Sequence, residues 1–112
     1  MNELERHWIA GILEGEGSFY WQTSNRNYKN PGIRVEMCDL DILERLTTIT
    51  KIGHITVCNH TKAKRYSSNW SPSWAWQVTR KVDVVALMIS IYPLMGERRK
   101  AKIHSLIEGV KS

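Results

Sequence analysis

Two carboxylates one residue apart, Glu14 and Glu16, close the apolar, glycine-studded stretch WIAGILEGEGS at residues 8–18. Carboxylate oxygens are hard ligands of the kind Mg²⁺ takes. Divalent ions held by such acids activate water and stabilise the leaving oxygen in phosphodiester hydrolysis. The residues before them are unusual for a helix. Ala10 and Gly11 fall mid-helix, and Gly15 follows Gly11 by four residues. Small residues at that spacing form a smooth strip on which two helix backbones can approach closely. A lone helix gains nothing from this, whereas a helix packed on its own copy about a two-fold axis does. Two copies would set two groups of carboxylates side by side, which is unfavourable unless divalent cations join them. The same Glu-Gly-Glu-Gly also reads as a capped turn, and the local pattern does not choose between the two.

The elements that must hold these groups follow from periodicity. Leu4, Trp8, Ile9, Ile12 and Leu13 recur at helical spacing, so residues 3–14 read as a helix. Gly15 and Gly17 are expected to end it. SFYWQT (18–23) favours a strand, SNRNYKNPG (24–32) a turn, and IRVEMC (33–38) the partner strand. Asp39 is a good N-cap for a second helix over 40–50. HITVCNH (54–60) and WAWQVT (74–79) read as strands around a long basic turn at 61–73. Helices over 81–91 and 97–108 complete the order αββαββαα. The expectation is an α+β domain spanning residues 1–112, with a four-stranded antiparallel sheet covered by helices on one face. Its core strand residues would be Phe19, Trp21, Val35, Ile55, Val57, Trp74, Trp76 and Val78.

Charge narrows the partner. Residues 1–50 carry five basic against eight acidic residues, net −3, and residues 51–112 carry eleven against three, net +8. No acid lies between Glu44 and Asp83, an interval holding Arg45, Lys51, Lys62, Lys64, Arg65, Arg80 and Lys81. Such a stretch suits a polyanion. Strand alternation turns Ser18, Tyr20, Gln22, Arg34, Glu36, Thr56, Cys58, His60, Ala75 and Gln77 away from the core. A β-ribbon fits the DNA major groove, where side chains of these types read base edges. Ser24, Arg26 and Lys29 on the first turn, with Lys62, Lys64 and Arg65 on the second, would hold phosphates. Cys38 and Cys58 form no metal pattern and read as reduced thiols. No run is long enough for a bilayer span and no basic leader is present, so an intracellular, soluble protein is expected.

Ile9-Ala10-Gly11-Ile12-Leu13-Glu14-Gly15-Glu16-Gly17 resembles the nine-residue signature of the LAGLIDADG homing endonucleases. Ser18-Phe19 follows it, as is common there, and YPLMGERRKAKI (92–103) resembles the segment that leads a basic residue into that family's final helix. The αββαββα order is theirs as well. The resemblance implies a single-motif, homodimeric endonuclease that cuts near-palindromic double-stranded DNA and leaves 3′ overhangs, encoded in an intron, an intein or a free-standing gene. It implies that Glu16 and the Gly15 carbonyl bind Mg²⁺, with Mn²⁺ substituting, and that Glu14 closes the helix structurally. It places Arg98 near the scissile phosphate, with Arg99 and Lys100 as neighbouring candidates. It sets Trp8, Ala10, Gly11, Glu14 and Gly15 at the subunit interface. Two departures are plain: both signature acids are Glu, and Arg98 stands where lysine is usual. The residue expected to organise water near the end of the second strand has no good match in Met37-Cys38-Asp39.

Three competing readings remain. One is a catalytically inactive nucleic-acid-binding protein of the same fold, a maturase-like splicing factor or a regulator. A second is a histidine-metal nuclease on His54, Asn59 and His60, whose spacing fits that chemistry poorly. A third is a protein-binding module using its tryptophans, although Trp74, Trp76 and Val78 share the spacing of a core.

Overall fold

The computed structural model describes residues 1–23, 29–58 and 72–111. Asn2 caps the first helix, α1 (Glu3–Glu16), through a reciprocal box with Glu5, both bonds 2.8 Å long. Gly15 stays within the helix, and Gly17 ends α1 two residues past the expected boundary. The helix runs through Glu16, and Gly17 leaves it in extended conformation, its N–H bonded to the Leu13 carbonyl. A side chain at Gly17 would meet the Leu13 carbonyl oxygen at 2.7 Å, so this junction requires glycine.

Strand β1 (Gly17–Thr23) pairs antiparallel with β2 (Lys29–Met37). Strand β2 begins four residues earlier than its alternation suggested and includes Pro31. Proline is tolerated there because β4 pairs with β2 only from Ile33 onward, so β2 is an edge at Pro31. Helix α2 (Leu40–Thr50) follows. Asp39 stands at its N-cap position but makes no side-chain cap bond; its carbonyl accepts from the Ile42 N–H instead. Strands β3 (His54–Cys58) and β4 (Ser73–Val78) form the second pair, and the sheet order is β1-β2-β4-β3. Helix α3 (Lys81–Ile91), a 3₁₀ turn (Tyr92–Leu94) and helix α4 (Glu97–Lys111) complete the chain.

The helices cover one sheet face. Ile9 and Leu13 of α1, Leu43 and Leu46 of α2, Val84 and Met88 of α3, and Ile103 and Leu106 of α4 are fully buried with Ile33, Val35 and Trp76 of the sheet. Phe19 and Val78 join them, and Trp76 donates its indole N–H to the Ile52 carbonyl at 3.2 Å. Trp21, Ile55 and Trp74 are half-buried against this core, as read. Val57 is not: it faces the helical side but is 66% exposed, because the helical layer does not reach the end of the edge strand β3. Among the described residues no helix is long and apolar enough to cross a membrane. Both cysteines are free thiols.

Candidate functional site

The acidic stretch occupies the C-terminal end of α1. Last-turn carbonyls of a helix lack intrahelical donors, and the macrodipole makes this end negative. No basic residue lies in the last turn of α1, yet Glu14 and Glu16 both do. The two acids are used differently. Glu14 is half-buried; its Oε1 accepts the Gly96 N–H at 2.6 Å and its Oε2 lies 3.8 Å from Arg99 Nε. Glu16 is exposed, and no described cationic side chain comes within ion-pair distance of it. The Gly15 carbonyl beside it is open, because residue 19, whose N–H would close the helical bond, belongs to β1. A carboxylate and a carbonyl at a negative helix end suit a hard divalent cation. They make only part of an octahedral shell, and no cluster of three or more acid, His or Cys ligands exists among the described residues. The donor set fits such an ion with the remaining positions filled from outside the chain.

A basic groove adjoins this corner. It runs between the start of β1 and the first half of α4, lined by Ser18, Arg98, Arg99, Lys102 and Ser105. Arg98, Lys102 and Ser105 recur at i, i+4 and i+7, so they share one face of α4. The three consecutive basic residues diverge. Arg98 is exposed toward the groove, and Lys100 sits 5.7 Å from the Tyr92 ring centroid. Arg99 turns inward: its side chain is 13% exposed, it donates to the Gly17 carbonyl, and it lies 5.8 Å from the Phe19 ring. Arg99 is therefore held by the acidic corner, while Arg98 and Lys102 are exposed and have no carboxylate partner among the described residues.

The sheet face opposite the helices presents the expected polar rows. Ser18, Arg34, Gln77 and His54 lie side by side across all four strands. Tyr20 packs over Gly32, where an added Cβ would meet its ring at 2.7 Å, and its hydroxyl accepts from Gln77 at 3.4 Å. Gln22 spends its amide N–H groups on the Pro31 and Thr79 carbonyls. Glu36 does not stand free to meet a ligand: Oε1 accepts from Arg34 at 2.9 Å and Oε2 from Ser73 at 3.3 Å. That hydrogen bond from Arg34 holds the Glu36 carboxyl below its ordinary range, and the same bond raises Arg34. Thr56 is exposed, whereas Ala75 faces outward yet is buried among its neighbours. Ser24, Arg26, the Lys29 side chain, His60, Lys62, Lys64 and Arg65 lie outside the described residues, as does Asn59.

On α1, Gly11 and Gly15 are exposed, and nothing stands within 4 Å of where a Cβ would project from either. They share a surface strip with His7 and with Leu4, which is 83% exposed. Ala10 does not belong to this strip. It is 3% exposed, because helical rotation places it beside Ile9 and Leu13 in the core. Trp8 is half-buried, with the Arg45 guanidinium 4.2 Å above its ring.

No family model and no curated protein matches the chain. Solved structures do. The group I intron-encoded homing endonuclease I-CeuI, complexed with DNA, superposes with a TM-score of 0.70 at 15% identity, over 96% of this chain and 54% of that one. The archaeal intron-encoded homing endonuclease I-Vdi141I, also complexed with DNA, gives 0.64 at 14% identity over 90% and 64%. The LAGLIDADG meganuclease I-AabMI, bound to uncleaved DNA, gives 0.64 at 16% identity over 99% and 38%. The fold is that of the LAGLIDADG homing endonucleases. This chain spans at most 64% of the length of each of these three.

Within this homing-endonuclease fold, the signature stretch supplies α1 and its junction with β1. The polar sheet face, the exposed Glu16 and the groove of α4 adjoin one another around that junction. Lys102, Ser105 and Ser73 were not among the expected site residues. The i, i+4, i+7 recurrence after Arg98 was a readable signal for the first two. Ser73 had none, since its role depends on β4 lying beside β2.

Proposed function

We propose that the protein is a site-specific double-strand DNA endonuclease that acts as a homodimer on a near-palindromic site with Mg²⁺ or Mn²⁺. One observation carries this reading: Glu16 is an exposed carboxylate at the negative end of α1, with no ion-pair partner among the described residues, beside a basic groove and a polar sheet face. The homing-endonuclease fold, seen in other proteins on DNA, supports the same assignment. Glu16 and the Gly15 carbonyl would hold the cation, which when bound supplies water activation and charge stabilisation at the leaving oxygen.

The chain's own residues do the rest. Arg98, exposed at the groove, offsets the negative charge that grows on the attacked phosphate. Arg99 and Glu14 fix the turn from which Glu16 projects. The sheet face meets base edges, and the basic segments 24–30 and 61–70 meet phosphates. A chain with one Glu16 cuts one strand. The strip of Leu4, His7, Gly11 and Gly15 provides the surface on which a second copy brings the second carboxylate.

Selection of cleaved sites from a randomised duplex library with Mg²⁺ tests the reading. The wild type yields a pseudo-symmetric site cut on both strands, and Glu16→Gln binds that site without cutting it. Cutting by Glu16→Gln would remove Glu16 from the metal site. Binding without cutting by the wild type would leave the inactive nucleic-acid-binding reading in its place.

A further inference from the structure

Glu36 poses a problem for a surface that meets DNA. A carboxylate there is repelled by phosphates, and its loss should favour non-specific binding. Its geometry offers a compensating role. Oε1 lies 2.9 Å from Arg34 Nη2, and Oε2 accepts from Ser73, a residue only 7% exposed. The carboxylate is thus tied to the sheet at one oxygen and to the guanidinium at the other. Cys58 Sγ, 3.6 Å from the same Nη2, closes the other side. A thiol is a weak acceptor that a better one displaces readily. The Nε and Nη1 hydrogens of Arg34 have no acceptor among the described residues, so displacing the thiol frees an Nη2 hydrogen beside an unbonded neighbour, the adjacent pair that a bidentate acceptor needs.

Arg34 sits on the central strand β2, in the outward row between Ser18 and Gln77. A guanidinium is a planar fork, and the side chain loses considerable rotamer freedom when it must be fixed. Here the Glu36 carboxylate restrains the guanidinium before any ligand arrives. In the major groove the acceptor pair matching such a fork is O6 and N7 of guanine. Adenine offers a donor beside N7, and thymine a methyl group. Glutamine at position 77 differs: its amide donates to Tyr20, and no acidic side chain braces it.

We infer that Arg34 is the guanine-reading residue of each half-site and that Glu36 is its positioning residue, not a base contact. The assignment rests on the DNA-binding part of the proposed function and names the base that this part of the sheet recognises.

The experiment recovers bound, uncut duplexes from a randomised library in EDTA, comparing the wild type with Arg34→Lys, Arg34→Ala and Glu36→Ala. Both positions touch the surface, and melting curves verify that the three variants fold. The wild type selects a G·C pair at one position of each half-site. Arg34→Lys keeps the charge but loses the fork, so its preference at that pair falls about ten-fold or more while its affinity for random duplex stays. Glu36→Ala weakens preference at the same pair and binds random duplex as tightly as the wild type or more so. An unchanged profile in Arg34→Lys overturns the assignment alone. So does a uniform loss of affinity in Arg34→Ala with every base preference intact, which would make Arg34 a phosphate contact. A Glu36→Ala effect confined to a different base pair also overturns it. A wild type that selects no sequence overturns both this assignment and the endonuclease reading.

Discussion

The guanidinium of Arg99 donates to the carbonyl of Gly17, a residue 82 positions earlier in the chain. That bond, with Glu14 accepting from the Gly96 N–H, pins the start of α4 to the end of α1. The turn that presents Glu16 is thereby built from both ends of the chain. Arg99→Met keeps the packing on Phe19 but removes the donor to the Gly17 carbonyl and the cation beside Glu14, whose Oε1 keeps the Gly96 N–H. We expect a loss of about 1–3 kcal/mol in unfolding free energy, the cost of stranding such groups. Denaturant titration measures it. Arg99→Lys should recover part of the loss, because an ammonium restores charge but not the planar fork.

Gly11 gives the cleanest test of the two-fold arrangement. Nothing lies within 4 Å of a Cβ added there. Gly11→Ala should therefore stabilise the isolated fold by about 1 kcal/mol, the helix-propensity difference. If a second α1 packs on that strip, the same methyl group, and more so the side chain of Gly11→Leu, must push the helices apart. Sedimentation should show weaker self-association alongside a raised melting temperature. Self-association that survives Gly11→Leu undiminished would move the subunit contact off this strip.

Lys102 reports on the groove. It shares the face of α4 with Arg98 and lines the same channel. Replacing a phosphate-contacting lysine lowers the slope of log affinity against log salt by about one. Lys102→Ala should show that change with no change in base preference. The triple Lys62, Lys64 and Arg65→Ala variant should show a larger one. A salt slope identical to that of the wild type would mean that no phosphate enters the groove.

Acid should weaken the Arg34–Glu36 pair in a definite direction. The hydrogen bond from Arg34 lowers the Glu36 carboxyl in the folded state. Its stabilising contribution is present above the ordinary carboxylate range and is lost as pH falls through the lowered folded-state value. Arg34 is raised and stays charged throughout. Melting temperature against pH should therefore fall less steeply on the acid side in Glu36→Gln than in the wild type. Identical acid limbs would show that the pair contributes nothing to folding.

Much of this molecule was written in local pattern. Helical spacing marks α1, and α3 begins and ends where its apolar run does, at Lys81 and Ile91. Period-two alternation sends Phe19, Val35, Trp76 and Val78 inward and Ser18, Arg34 and Gln77 outward, because the pleat leaves no other choice. The sequence puts Glu16 just past a helix over 3–14, whereas the structure makes it the last residue of α1. Pairing was less legible. Pro31 looked like turn material, and only the absence of β4 opposite it makes room for a residue without an N–H.

What tertiary structure alone decided is which polar groups meet. Arg98, Arg99 and Lys100 are consecutive and chemically alike, but successive residues on a helix point about 100° apart. The rotation of α4 against β1 therefore determines that Arg99 reaches Gly17 while Arg98 faces the groove. The same holds for Glu36, whose two oxygens are claimed by Arg34 on its own strand and by Ser73 on β4. Hydrogen bonds depend on distances of tenths of an ångström between residues far apart in the chain. Hydrophobic burial depends only on which side of a helix or strand a residue occupies, and that side is set by its neighbours in sequence.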